Sequence, residues 1–282
     1  MRVDRIFEKR KGERNMENNI EKIVLLCEDD LESMYSAIYE AFMMKSDPKN
    51  THIQLDGQES MEFFTEYIYV DRDEEKAQKV AKALVRRFGY TVYEHLTYIL
   101  CHESERRVDV FYHVIELGLG LKYPETIFSH LGNSWVMEGF EMKRKASREI
   151  FHLFGFLRFE ELKNGVLFAR IHPKTDVILF LARHFADRLP SENFIIYDEK
   201  REKCIVHPYR GEWYLRTKVK ADMFQETEAS DAQQLFEKLF QEFCRTIAIK
   251  ERKNKKLQQN MLPLHFRDCM VEFSGDASYV RR

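Results

Sequence analysis

Residues 151–201 place three short β-prone runs around one amphipathic helix, and that alternation commits this part of the chain to a sheet packed on a helix. The runs cover 155–162, 166–171 and 193–198. Between them Val177, Ile178, Leu181 and Phe185 recur at helical spacing and share one face. Asn164-Gly165 is a strong turn signal and predicts an antiparallel pairing of the strands on either side. Threaded through the same stretch are His152, Arg158, Arg170, His172, His184 and Arg188. Cationic side chains are costly in an apolar interior unless paired, so some of these six must line a polar surface that receives an anion or a polar base.

The remaining chain extends this into an α+β fold. The run KIVLL at 22–26 suits a buried strand, and Asp29 or Asp30 can cap a helix reaching about residue 44. A loop with Asp47-Pro48 and Asp56-Gly57 follows, then an aromatic-rich segment at 61–70. Asp73-Glu74-Glu75 opens the next helix with acidic groups where the dipole favours them. Helical spacing near 74–87, 91–101 and 106–119 reads as a small bundle. A further helix is expected at about 134–154, strands at 203–207 and 212–217, and a helix at 231–249 with Leu235, Phe236, Leu239, Phe240 and Phe243 as its buried stripe. The expected organisation is a polar extension at 1–15, a mainly helical part at 16–132 with a short strand, and a part at 133–273 built on about five antiparallel strands and helices. A tail at 274–282 completes it.

Composition narrows the chemistry. With 45 basic and 47 acidic residues the net charge is −2, so a site for a polyanion has to be local. The segment 245–256 concentrates charge, with six basic side chains against one acidic. Lys250, Arg252, Lys253, Lys255 and Lys256 in it suit phosphate contacts, although a solvated helix end accounts for the same residues. Lys143-Arg144-Lys145 with Arg148 forms a second, smaller cluster, which a solvated helix face explains equally. Five scattered cysteines without a C-x-x-C pair point to a reduced, cytoplasmic chain, and neither a signal peptide nor a membrane span is expected.

No metal centre or cofactor is expected. Six of the ten histidines (His102, His113, His130, His152, His172, His184) fit no metal-ligand spacing, and the phosphate-loop, dinucleotide-binding and hydrolase-elbow motifs are absent. What remains is carboxylate and imidazole chemistry. Glu149 and His152 share a helical face, and Asp187 follows His184 by three residues, so His152 or His184 could act as acid or base with Glu149 or Asp187 as partner. A structural ion-pair network linking helix and sheet uses the same residues.

The stretches YSAIYEAF (35–42), EYIYV (66–70), GFLRFEEL (155–162), HFADRLP (184–190) with Glu192-Asn193, and TIAIKERKN (246–254) resemble a bacterial family of DNA metabolism or DNA repair proteins built around a domain of unknown function. The resemblance runs from about residue 23 to 273. It implies a radical S-adenosylmethionine protein as partner, and a domain that also occurs fused to uracil-DNA glycosylase-like modules. Phe194 stands where that family often has Trp, keeping an aromatic platform without the indole N–H. The resemblance thus implies an accessory protein of DNA repair or modification. Arg148, Arg158, Arg188, Asn193, Arg201 and the basic segment would hold DNA, beside His152, His184, Glu149 and Asp187. Two alternatives stay open: a glycosylase- or nuclease-like enzyme with Phe156, Phe159, Phe185 and Phe194 walling a flipped base, and a scaffold for the radical enzyme that does not touch DNA.

Overall fold

The structure, a computed structural model, describes residues 22–44, 46–57, 62–220, 231–247 and 254–270. The chain divides into two compact units, one up to Ser147 and one from Arg148 onward. The fold is mixed α+β, with helices towards the N-terminus and a five-stranded, mostly antiparallel sheet in the C-terminal half.

The first unit opens with β1 (Lys22–Cys27), α1 (Leu31–Met43), β2 (Thr51–Leu55) and β3 (Thr65–Tyr69). These three strands form a wholly parallel sheet in the order β2-β1-β3. Val24, Leu25, Leu26 and Cys27 of the central strand are all buried, as a parallel strand covered on both faces requires. Burial pushes the Cys27 thiol up to about 12, so it stays protonated. The sequence reading has one strand where the structure has three. The two additional strands are edges whose sequences, THIQL and TEYIY, mix polar with apolar residues and carry no continuous hydrophobic run.

Asp30 is the cap of α1, accepting from the amides of Glu32 at 3.0 Å and Ser33 at 3.1 Å, while Asp29 pairs instead with Arg107. Then come α2 (Glu74–Phe88), α3 (Tyr90–Cys101) and α4 (Arg107–Gly120). Asp73 caps α2 through the Lys76 amide. Residues from Val108 to Ile115 of α4 are buried without a break, so this helix is enclosed on all sides, and it packs against β2. Gly118 near its end lets the Phe88 ring approach so closely that a Cβ there would lie 2.4 Å from a ring carbon.

The long helix α5 (Ser134–Phe156) carries the chain into the second unit, where β4 (Glu160–Glu161), β5 (Leu167–Ile171), α6 (Ile178–Arg188), β6 (Phe194–Asp198), β7 (Lys203–His207) and β8 (Tyr214–Thr217) follow. The strand expected at 155–162 is a correction. The helix continues through Phe156 because Ile150, Leu153 and Leu157 keep a buried helical face, and only Glu160–Glu161 is extended. Arg158 and Glu160 therefore do not share one side of a strand. The turn at Asn164-Gly165 does join β4 to β5 antiparallel. Gly165 donates to the Leu162 carbonyl at 2.8 Å with φ at +76°, a conformation glycine adopts freely.

The sheet order is β4-β5-β6-β7-β8, antiparallel except for β5-β6, which α6 connects as a parallel crossover. Phe168, Tyr197 and Cys204 pack on one face with Leu162 and Val219. On the other, Phe159 contacts Phe185 of α6 and Phe194 of β6, and Phe194 stacks on His207 with ring centroids 4.6 Å apart. Further on lie α7 (Asp231–Ile247) and α8 (Lys255–Met261). The apolar stripe of α7 is a second correction: Leu235, Phe236, Leu239 and Phe243 are all more than half exposed.

Candidate nucleic-acid interface

The end of α5 carries Arg148, Glu149 and His152 and the β6–β7 turn carries Arg201, and of these Glu149 and Arg201 are held by neighbouring groups of the fold that the sequence reading did not pair with them. Glu149 is buried, and its carboxylate accepts from the backbone amides of Lys174 and Thr175, both at 2.8 Å, and from the Thr175 hydroxyl. Both oxygens thus fasten the turn that leads into α6. His152, one turn further along, lies against Phe156 and edge-on to Phe266, ring centroids 5.5 and 5.3 Å away.

Asp198 at the end of β6 is fully buried and receives the amides of Lys200 and Arg201 together with an Arg201 guanidinium nitrogen at 2.9 Å. Burial raises its pKa, and Arg201 works against that rise. The same guanidinium donates to the carbonyls of Pro173 and Lys174. Beside it Glu199 pairs with His172 at 3.0 Å and lies 3.9 Å from Arg170, and Lys203 pairs with Asp176 at 2.7 Å. Arg158 donates to the carbonyls of Gly155 and Leu157, and the Asn193 carboxamide oxygen accepts from the Tyr209 amide. Arg201, Arg170 and His172 are therefore already partnered by carboxylates.

The exposed cations Arg148, Arg188, Lys255 and Lys256 differ from these in making no ion pair among the described residues. Lys255 and Lys256 begin α8, so they do not complement a helix C-terminus. Lys250, Arg252 and Lys253 lie outside the described residues. Of the four aromatic candidates, Phe194 is fully buried and Phe185 nearly so, while Phe156 and Phe159 are half-buried.

His184 of α6 is stacked on Phe154 at 4.0 Å, with its Nε2 buried and making no hydrogen bond. Burial lowers its pKa, Arg188 adds to the lowering, and exposed Asp187 opposes it more weakly. The ring is neutral at neutral pH and able to accept a proton. Because its folded pKa lies below the ordinary value of about 6.5, the unfolded chain takes up the proton first, and this residue's share of stability is lost as pH falls through that value. In His184→Phe the denaturation midpoint is expected to drop less between neutral and mildly acidic pH than in the unsubstituted chain; equal drops would show that His184 carries none of the dependence.

In the first unit, His52, Asp109 and His113 form the one group among the described residues whose ligand atoms stand close enough to share an ion. The sequence contains a signal for two of the three, since Asp109 and His113 are four apart on α4. His52, on β2 and 57 residues from Asp109, has no local signal.

Among the described residues no helix is long and apolar enough to cross a membrane. No curated protein matches the chain. Residues 105–272 match the profile of a domain of unknown function, DUF4130, a span that takes in α4 to α8 and both faces of the five-stranded sheet. With that match covering more than half its length, the chain belongs to the DUF4130 family.

Proposed function

We propose that this protein is a cytoplasmic accessory factor of DNA repair or DNA modification that binds nucleic acid and acts with a radical S-adenosylmethionine partner. The observation that carries the DNA reading is that Arg148, Arg188, Lys255 and Lys256, all in the C-terminal half, are exposed and make no ion pair among the described residues. Free cations at a surface are what phosphate contacts use, whereas Arg201 and Arg170 would first have to break existing pairs. The exposed apolar side chains of α7 favour a protein partner, since a stripe of Leu and Phe in water is the usual mark of a surface that another chain covers. The resemblance of the chain to DNA repair proteins supports both parts.

The test is a titration of fluorescent single- and double-stranded DNA against salt, with and without the radical enzyme. Replacing Arg188, Lys255 and Lys256 together by alanine is expected to weaken binding and to reduce the slope of log affinity against log salt by about 2 to 3, near one per phosphate contact. No binding with or without the partner, or an unchanged slope in the variant, rejects the reading.

A second reading, an enzyme acting directly on modified bases, is favoured by His184, whose neutral ring keeps a nitrogen free of hydrogen bonds beside Asp187 and Arg188. Turnover of modified-base oligonucleotides by the purified chain alone, lost in His184→Phe, distinguishes it from the accessory role.

A further inference from the structure

We propose that His52, Asp109 and His113 bind one divalent transition-metal ion of the zinc class, held where α4 packs against β2. His52 Nδ1 lies 3.1 Å from Asp109 Oδ2 and 3.2 Å from Oδ1, and His113 Nε2 lies 3.5 Å from Oδ1. All three donor atoms fall within 4.8 Å of one another. A tetrahedral ion with nitrogen and oxygen ligands at 2.0–2.2 Å keeps those ligands about 3.3 Å apart. The contacts of both imidazoles with Asp109 are already near that spacing, and side-chain shifts that bring the two ring nitrogens, now within 4.8 Å, to the same spacing complete the site.

An independent observation separates this trio from a histidine–aspartate hydrogen-bond cluster. Asp109 satisfies His52 directly, but His113 Nε2 is buried and forms no hydrogen bond: its contact with the carboxylate has ion-pair distance without hydrogen-bond geometry. A buried ring nitrogen without a partner costs about 1–3 kcal/mol, and a cation in the trio supplies that partner. The ring cannot swing out to water, because it is stacked on Trp135 at 4.1 Å and its side chain is only 8% exposed.

The surroundings fit the same role. The Ile53 amide donates to Asp109 Oδ1 at 3.2 Å and orients the carboxylate from outside the trio, as outer hydrogen bonds do around bound metals. The guanidinium of Arg106 lies over Trp135, the ring stacked on His113, and is paired with Glu138, so its charge is offset. Two imidazoles and one carboxylate select zinc, cobalt, nickel or ferrous ions over calcium and magnesium, which prefer all-oxygen sites. Three protein donors leave at least one coordination position to solvent, and the side of His52, 22% exposed, is the way in.

Metal binding by the full chain, stripped with chelator, tests this without any assay of activity. Titration with Co²⁺ is expected to give the visible bands of a nitrogen- and oxygen-ligated ion at one equivalent, and Zn²⁺ to displace them. His52→Ala, the change least disruptive to the interior, and Asp109→Asn are expected to lower Zn²⁺ affinity at least about 100-fold while circular dichroism stays unchanged. His113→Gln is expected to do the same, but its buried stacking makes loss of fold an alternative cause, so the wild-type titration and His52→Ala decide. No uptake of either metal by the wild-type chain, or uptake with equal affinity in His52→Ala, overturns the assignment; the latter would put the ion on other side chains.

Discussion

Glu149→Ala is expected to lower the free energy of unfolding by about 3 kcal/mol, read as a lower urea midpoint with an unchanged slope. The carboxylate accepts from two amides and a hydroxyl at the turn before α6, and truncation removes all three acceptors at once. Thr175 is buried, so its amide and hydroxyl gain no water in exchange, whereas exposed Lys174 can recover one bond from solvent. Glu149→Gln is expected to cost less, since one carbonyl oxygen remains to accept. The measurement also discriminates between roles. A carboxylate whose task was to assist His152 would leave the midpoint almost unmoved when removed, and that outcome would overturn the structural assignment.

Gly118→Ala is expected to destabilise the first unit by about 2 kcal/mol net, although alanine in a helix gains close to 1 kcal/mol over glycine. The added methyl would sit 2.4 and 2.9 Å from two carbons of the Phe88 ring, and 3.5 Å from Ile127. Phe88 is 1% exposed, so its ring has no free volume to turn into, and the overlap must be absorbed by moving α4 or α2. Thermal denaturation of the single variant and of Gly118→Ala with Phe88→Leu separates the causes. Leucine lacks the clashing ring carbons, so the pair should be more stable than the sum of the two single losses, by about 1 kcal/mol. Strict additivity would mean that the close approach is not the source of the loss.

What could be read from the sequence follows the range of the interactions involved. Asp30 and Asp73 act on amides two or three residues away, so both helix starts were legible, as was the turn at Asn164-Gly165. The parallel sheet was not, because β1 recruits β2 and β3 across long stretches of chain, and only the central strand has a sequence that demands burial on both faces. The β-prone run at 155–162 reads as a strand, but Leu153 and Leu157 extend the helical period set by Ile150. On α7 the periodicity of the stripe was correct, yet periodicity says only that a face is apolar and not what covers it. The site behaved in the same way. Glu149 and His152 are neighbours on a helix, but the partner that claims the carboxylate is Thr175, 26 residues on, and no local pattern announces it.

The position of α5 governs how this protein can be dissected. The division after Ser147 falls in the middle of an unbroken helix, with Val136, Met142 and Ala146 buried before it and Ile150 and Leu153 buried after it. Cutting the gene at that point would hand each fragment a severed helical stub with fresh unsatisfied peptide groups and stripped apolar surface. Fragments for expression should instead carry the whole helix, with a start at Gly132 or Asn133 for the C-terminal piece and an end beyond Phe156 for the N-terminal one.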